Sequence, residues 1–357
     1  MRATFIHGPR DLRVGDKAPP APAGDDVLVR VAGVGICGSD LHYYTEGGIG
    51  QARIAAPFVP GHEFAGWVMD DRPDLDLRAG QLVAVDPAKP CGRCEWCRRD
   101  HVNLCPNVEF LGAPPFHGAM TEAVAVAPRQ VFAVPARFTV TQAVMLEPLG
   151  VAIHALDLAK LQPGETVAVL GCGPIGLCLV QLARLGGAGR VYAVDPVGYR
   201  AAAAARLGAH ETGATHAAVA AWTDGRGVDL VLEATDSPQA FEHAVEAARI
   251  GGRIVLAGIP EGDRYALTAS GARRKGLGIK FSRRMGHVYP RAIALVADGR
   301  VDLDAIVTHR FPIEEAATAF ALQAERRDGA LKSIILPNGP EDARATPSTG
   351  GDRVQWN

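Results

Sequence analysis

The stretch TVAVLGCGPIGLCLVQLARLGGAGRVYAVD (166–195) decides the fold. A short apolar run, TVAVL, leads into G-x-G-x-x-G at Gly171, Gly173 and Gly176, and a helical pattern follows. A second apolar run, RVYAV, ends on Asp195. The glycines alone are a weak signal; strand, loop, helix and strand in this order supply the context a dinucleotide motif needs. The first glycine makes the tight turn and the second lets backbone approach a pyrophosphate. The third allows close helix–strand packing, with the helix N-terminus facing the phosphates. Asp195 is placed to accept hydrogen bonds from an adenosine ribose 2′-hydroxyl and would repel a 2′-phosphate, so the reading is NAD rather than NADP. Arg200 either lies over the adenine, reaches the ribose, or is a solvated helix residue. Cys172 and Cys178 read as small packing thiols.

Outward from this unit the rhythm continues. HAAV (216–219), VDLVLEAT (228–235), GRIVLAGI (252–259) and LGIKFS (277–282) read as further strands, with a helix near 238–249. Short apolar strands alternating with helices signify a parallel sheet covered on both faces. Upstream, VLVRVAGVGICG (27–38), FAGWVM (64–69), QLVAVDP (81–87) and AMTEAVAV (119–126) are strand-like runs between turn signals, a β-rich, barrel-like pattern. Downstream, YPRAIALVADGR and EEAATAFALQAE read as amphipathic helices and KSIILP as a closing strand, followed by a tail expected to be disordered.

A chain of 357 residues suits two cores better than one. Lys+Arg 37 against Asp+Glu 39 leaves a formal charge of −2, which excludes a global attraction to nucleic acid or anionic lipid. Hydrophobic residues at 48% and charged residues at 21% exclude a disordered or fibrous chain. No apolar run is long enough to span a membrane, and the first residues lack a signal-peptide core, so the expected compartment is the cytoplasm.

An odd cysteine count, seven, argues against a disulfide framework. Cys91, Cys94, Cys97 and Cys105 crowd into CGRCEWCRRDHVNLC with C-x2-C-x2-C-x7-C spacing. Such steps aim successive thiolates at one point, giving a closed structural zinc site; an iron–sulfur cluster is the rival. A closed site does no chemistry and pins a lobe that has little core of its own. A nucleic-acid role would need a basic, aromatic-interleaved surface, and only Trp96 lies in the lobe. Cys37, in GICGSDLHYY, remains unassigned. With His62 of GHE it forms the start of a catalytic zinc site, and Glu63 or Glu147 can supply oxygen. Singly, each has a plain explanation as core or hydrogen-bonded interior.

These motifs together resemble a zinc-dependent medium-chain dehydrogenase/reductase over about residues 1–336. GHEFAGWV is similar to that family's zinc signature, and CGSDLHYYTEGGIG…PFVPGHE resembles the sorbitol, xylitol and L-idonate dehydrogenase branch. The resemblance implies an α/β chain: a GroES-like, β-rich catalytic domain (1–151) with an inserted Rossmann domain, a doubly wound parallel sheet (152–283). Residues 284–337 then complete the catalytic domain, and 338–357 form the tail. It also implies a homo-oligomer, a tetramer before a dimer. No cysteine is left to be a second catalytic thiolate, and Glu147 stands in the matching place, as in polyol dehydrogenases, touching the metal or its water. The stretch between GHE and the lobe is shorter than the family pattern, and Gln81 replaces an Asp of its Gly-Asp-x-Val turn.

Carried over residue by residue, the likeness implies two zinc ions and NAD, with Pro174, Ile175, Gly258, Ile259 and Arg283 joining the glycine loop, Asp195 and Arg200 at the cofactor. Ser39 takes the alcohol proton, which passes through the nicotinamide ribose to His42 and water; Glu147 is the alternative base. Tyr43, Phe110 and Arg284 face substrate, and Met285 stands where sorbitol enzymes show tyrosine. The Arg283–Arg284 pair could equally recognise a carboxylate. The expected activity is oxidation of a secondary hydroxyl of a polyol or sugar acid to a ketone. The alternatives are a threonine-type or general secondary-alcohol dehydrogenase, and, outside enzymes, an idle zinc-stapled binding protein.

Overall fold

The computed structural model describes residues 1–339; the tail expected to be disordered lies largely outside the described residues. Thr166–Leu170 starts a six-stranded parallel sheet and pairs on both sides, with Arg190–Val194 and with Val228–Glu233. Glu211–Gly213 extends one edge, and Ala248–Leu256 and then Gly278–Phe281 extend the other. The spatial order is therefore third, second, first, fourth, fifth, sixth, the doubly wound arrangement with its switch point beside the first strand. Val228–Glu233 is buried at every position, as a strand covered on both faces must be.

The third strand departs from expectation. HAAV (216–219) is not a strand: Ala217–Trp222 is helical, and Glu211–Gly213 takes the edge instead. The alanine-rich segment has high helix propensity and needs to bury only Val219.

The helix Pro174–Leu185 follows the glycine loop, with Gly173 as N-cap and proline at its first position. Its buried face includes Leu177, Leu179, Val180 and Leu182, each such side chain contributing about 1.5–3 kcal/mol of transfer free energy. Gly171 sits at φ +89°, and a Cβ on Gly176 would meet the Gly171 carbonyl oxygen at 1.8 Å. Any side chain at Gly176 would therefore push the helix off the strand.

The N-terminal sheet is built around Val27–Gly35, which pairs with Glu63–Val68, Ala123–Val126 and Lys332–Leu336. Leu82–Val85 and Val131–Ala133 lie beyond Glu63–Val68, and Val307–Pro312 lies beyond Lys332–Leu336. The last strand thus returns to the first sheet, and Ile313, Phe320 and Ile335 pack into one apolar cluster with Ile6, Val29 and Phe64. The helix Leu146–Ala159 runs unbroken across position 151/152, so a division drawn there cuts a continuous element. No helix among the described residues is long and apolar enough to cross a membrane.

Candidate active site

Cys37 ends the run that begins with Val27–Gly35 and caps the helix Gly38–Glu46. The Asp40 carboxylate accepts the Cys37 N–H at 2.9 Å and the Gly61 N–H at 3.1 Å, tying the cysteine loop to GHE. His62 and Glu63 enter at the start of the next strand over, paired so that Glu63 is opposite Gly35. As a result, donor atoms of Cys37, His62 and Glu63 all lie within 4.8 Å of one another. His62 Nδ1 is buried with no hydrogen-bond partner. Burial opposes charge on this imidazole, but Asp40 and Cys37 outweigh it and raise its pKa well above the ordinary range. Sulfur, nitrogen and oxygen converge in a negative setting that favours a cation, so the residues fit a zinc ion.

Two acids compete for the oxygen position. Lys332, 1% exposed, donates to Glu63 Oε2 at 2.5 Å and to the Ile36 carbonyl at 2.8 Å. Burial alone would discharge the amine; Glu63 and Cys37 outweigh it and hold its pKa above the usual value. Glu147, buried on the helix Leu146–Ala159, is not among the donors within 4.8 Å. Burial first, then the charges of Glu63 and Asp86, push its carboxyl up to about 8.

The four lobe cysteines converge equally well, with donor atoms within 4.8 Å of one another. Backbone N–H groups of Cys91 and Cys97 point at the sulfurs of Cys105 and Cys94, at 3.4 and 3.5 Å. Hydrogen bonds from the Arg93 and Cys94 backbone lower the Cys91 thiol to about 6. This donor set suits a closed tetrahedral zinc site.

A cleft of about 940 Å³ runs between the two sheets, and Cys37, Ser39, His42, Gly171, Gly173, Pro174, Ile175, Asp195, Arg200, Gly258 and Ile259 all line it. Asp195 accepts the Cys172 N–H and the Val197 N–H, both at 2.8 Å, so the carboxylate is locked beside the glycine loop. Arg200 Nε is buried with no partner, an orphan donor in the same cleft. His42 faces two acceptors, Glu46 at 2.5 Å from Nδ1 and the Ile259 carbonyl at 3.2 Å from Nε2.

Arg283 does not join this lining; its side chain is exposed and its carbonyl accepts from Asn103 Nδ2 at 3.1 Å. Its neighbour Arg284 has φ +54° and is partly buried. Tyr43, 4% exposed, packs edge-on to Phe58. Phe110 contacts both His62, at 5.4 Å between ring centroids, and Arg284, whose guanidinium is 4.9 Å from the ring centroid. Met285 is buried against Gly150.

Residues 23–136 match the family model of the alcohol dehydrogenase GroES-like domain, and 174–298 match that of the zinc-binding dehydrogenases. A sorbitol dehydrogenase of Bacillus subtilis is 35% identical over 345 residues, covering 95% of this chain and 98% of its own. The chain belongs to the zinc-binding alcohol dehydrogenase family. Among solved structures, this family member superposes on L-idonate 5-dehydrogenase from Escherichia coli with a TM-score of 0.86 at 26% identity, covering 94% and 97% of the two chains. A zinc-binding dehydrogenase from Sinorhizobium meliloti bound to NADP gives 0.84 at 30% identity, covering 94% and 99%.

Three functional residues escaped the sequence reading. Asp40 carried a signal, an acid three positions into a helix after its cap. Glu46, one turn beyond His42, carried another. Lys332 was visible only as a lysine in an apolar strand, KSIIL.

Proposed function

We propose that this chain is a zinc-dependent NAD oxidoreductase that oxidises a secondary hydroxyl of a polyol or sugar acid to a ketone. One observation carries the reading: Cys37 belongs both to the convergent metal-donor group and to the wall of the cleft that holds the glycine loop. A metal and a nicotinamide ring would therefore meet at one place.

When bound, zinc supplies Lewis acidity enough to ionise a hydroxyl near neutral pH, and NAD supplies the hydride acceptor. Cys37, His62 and Glu63 would hold the ion, with Glu147 as a further oxygen, directly or through water. Ser39 and His42 stand three apart on the helix Gly38–Glu46, on one face and both in the cleft. Ser39 takes the alcohol proton and His42, held by Glu46, delivers it towards solvent. Asp195 receives the ribose hydroxyls with its remaining lone pairs and repels a 2′-phosphate. The family's closed lobe site supports a structural role for Cys91, Cys94, Cys97 and Cys105.

The same proposal includes a cytoplasmic homo-oligomer, a tetramer by resemblance. The open edge of Gly278–Phe281, with Phe281 63% exposed, supports an interface, and light scattering tests it. The activity is tested by NAD reduction with the zinc-loaded protein against sorbitol, xylitol, ribitol, L-idonate, threonine, 2-butanol and ethanol. Activity on the hydroxylated compounds is expected. Activity on threonine or simple alcohols alone would replace the substrate class, and none at all would favour an idle binding protein.

A further inference from the structure

The four-cysteine lobe reaches the substrate side of the site through one amide. Asn103, shortly before Cys105 in the single turn Val102–Leu104, is 9% exposed. Its Nδ2 donates to the Arg283 carbonyl at 3.1 Å and lies 3.4 Å from His154 Nε2. Burial lowers the His154 pKa, so the ring is neutral and one of its nitrogens can accept the second amide hydrogen. One NH2 group therefore joins three segments: the lobe, the helix Leu146–Ala159 and the loop that begins at Arg283.

That loop leads to the metal-donor group. Arg284 lays its guanidinium on Phe110, and the same ring contacts His62. Met285 is buried, and a Cβ on Gly150 would meet its sulfur at 2.4 Å, so the helix leaves the loop little room to shift. A second link to the lobe, His287 Nε2 to Asp100 at 2.9 Å, is largely exposed and contributes little. Asn103 is the buried link. Phe110 in turn follows the lobe closely in the chain and is fixed by pairing Glu109–Phe110 with Ala88–Lys89. Both partners of the Phe110–Arg284 contact are thus set by the lobe, one through the chain and one through the Asn103 amide.

We propose that Asn103 is a positioning residue for substrate: by holding the Arg283 carbonyl it seats Arg284 on Phe110 beside the metal-donor group. The cysteine lobe thereby serves catalysis through geometry, besides stabilising the fold. This rests on the hydroxyl-oxidation reading above, with the substrate hydroxyl at Cys37 and His62 and the rest of the substrate along Phe110.

The test uses the zinc-loaded protein with NAD and whichever of sorbitol, xylitol and L-idonate the parent turns over fastest. Asn103→Ala is made in the parent and again in an Arg284→Ala background. In the parent it is expected to raise the KM for that compound about three- to tenfold, the loss of one hydrogen bond. Turnover at saturation should stay within about twofold, since the interaction acts on binding. NAD affinity and zinc content should not change. In the Arg284→Ala background the same substitution should raise KM less than about twofold, because the loop has no guanidinium left to seat. Asn103→Gln keeps the amide donors on a longer stem and should fall between Asn103→Ala and the parent. If Asn103→Ala sheds its lobe zinc, the Asn103→Gln cycle decides in its place. A KM that does not move, or equal factors in both backgrounds, overturns the proposal and leaves hydroxyl oxidation standing. So does a KM change that appears only together with zinc loss in both variants. No NAD reduction by the parent with any of the three compounds overturns the reading beneath, and the proposal with it.

Discussion

Lys332 and Glu63 illustrate how a single pair can join distant chain segments. The lysine comes from the last strand and the glutamate from the GHE turn, and each side chain is 1% exposed. Removing one partner of such a pair leaves an uncompensated buried charge and costs about 3–5 kcal/mol. Lys332→Met is therefore expected to destabilise the metal-free protein by about that amount, read from urea unfolding. The double variant with Glu63→Gln should lose clearly less than the two single losses together. Additive losses would show that the pair does not couple. Asp195 is a different case, because the proposed function gives it a second task besides its backbone hydrogen bonds. Its oxygens accept two backbone N–H groups, it lines the cleft, and the proposed second task is to meet the ribose of NAD. Asp195→Asn should lower the NAD-over-NADP ratio of kcat/KM by about tenfold, through loss of the charge that repels a phosphate. A ratio that does not move places discrimination elsewhere, with Arg200 the next candidate.

Between elements, Asp229 clamps the two central strands of the parallel sheet. From the start of Val228–Glu233 it accepts the Thr166 N–H at 2.9 Å and the Thr166 hydroxyl at 2.7 Å. It also receives Arg226 at 2.8 Å and Arg249 at 2.6 Å. Burial pushes its carboxyl up, but Arg226, Thr166 and Arg249 outweigh burial and hold it well below the usual carboxylate range. A depressed native pKa means the unfolded chain binds the proton first as pH falls. The stabilisation is thus complete above about pH 4 and is lost progressively below it. Asp229→Asn is expected to cost about 2 kcal/mol at pH 7, with the gap to the parent narrowing below about pH 4. Thermal unfolding from pH 3 to 7 reads this directly, and parallel profiles would refute it. The expected strand at 216–219 shows the opposite lesson: a short apolar stretch with high helix propensity is helical, and Glu211–Gly213 is the segment that pairs with Arg190–Val194.

Across the whole molecule, two donor clusters serve different ends. One is the four-cysteine group Cys91, Cys94, Cys97 and Cys105, and the other includes Cys37, which lines the cleft. Metal analysis should find about two zinc ions per chain. Cys94→Ser should remove one and lower the melting temperature, because the lobe depends on its metal for shape. Cys37→Ala should remove the other, abolish turnover and leave NAD binding, measured by fluorescence titration, intact. One zinc in the parent protein would dismiss the second site, and surviving turnover would make Cys37 a core residue.

The local information in 166–195 was enough for the glycine loop, its flanking strand and helix, and Asp195, because these contacts span few residues and each position has its own chemical requirement. The lobe cysteines were legible for the same reason. Cys37 and His62 could be named as partners, since few other ligand-type residues remained to assign. What the sequence did not carry was that Glu63, and not Glu147, comes within reach of Cys37 and His62, or that Lys332 reaches Glu63. Those depend on strand register and backbone turns between segments far apart in the chain. Glu63 meets Lys332 only because Lys332–Leu336 pairs with Val27–Gly35. Residue types and spacing determine which groups are available for chemistry; long-range packing decides which of them meet.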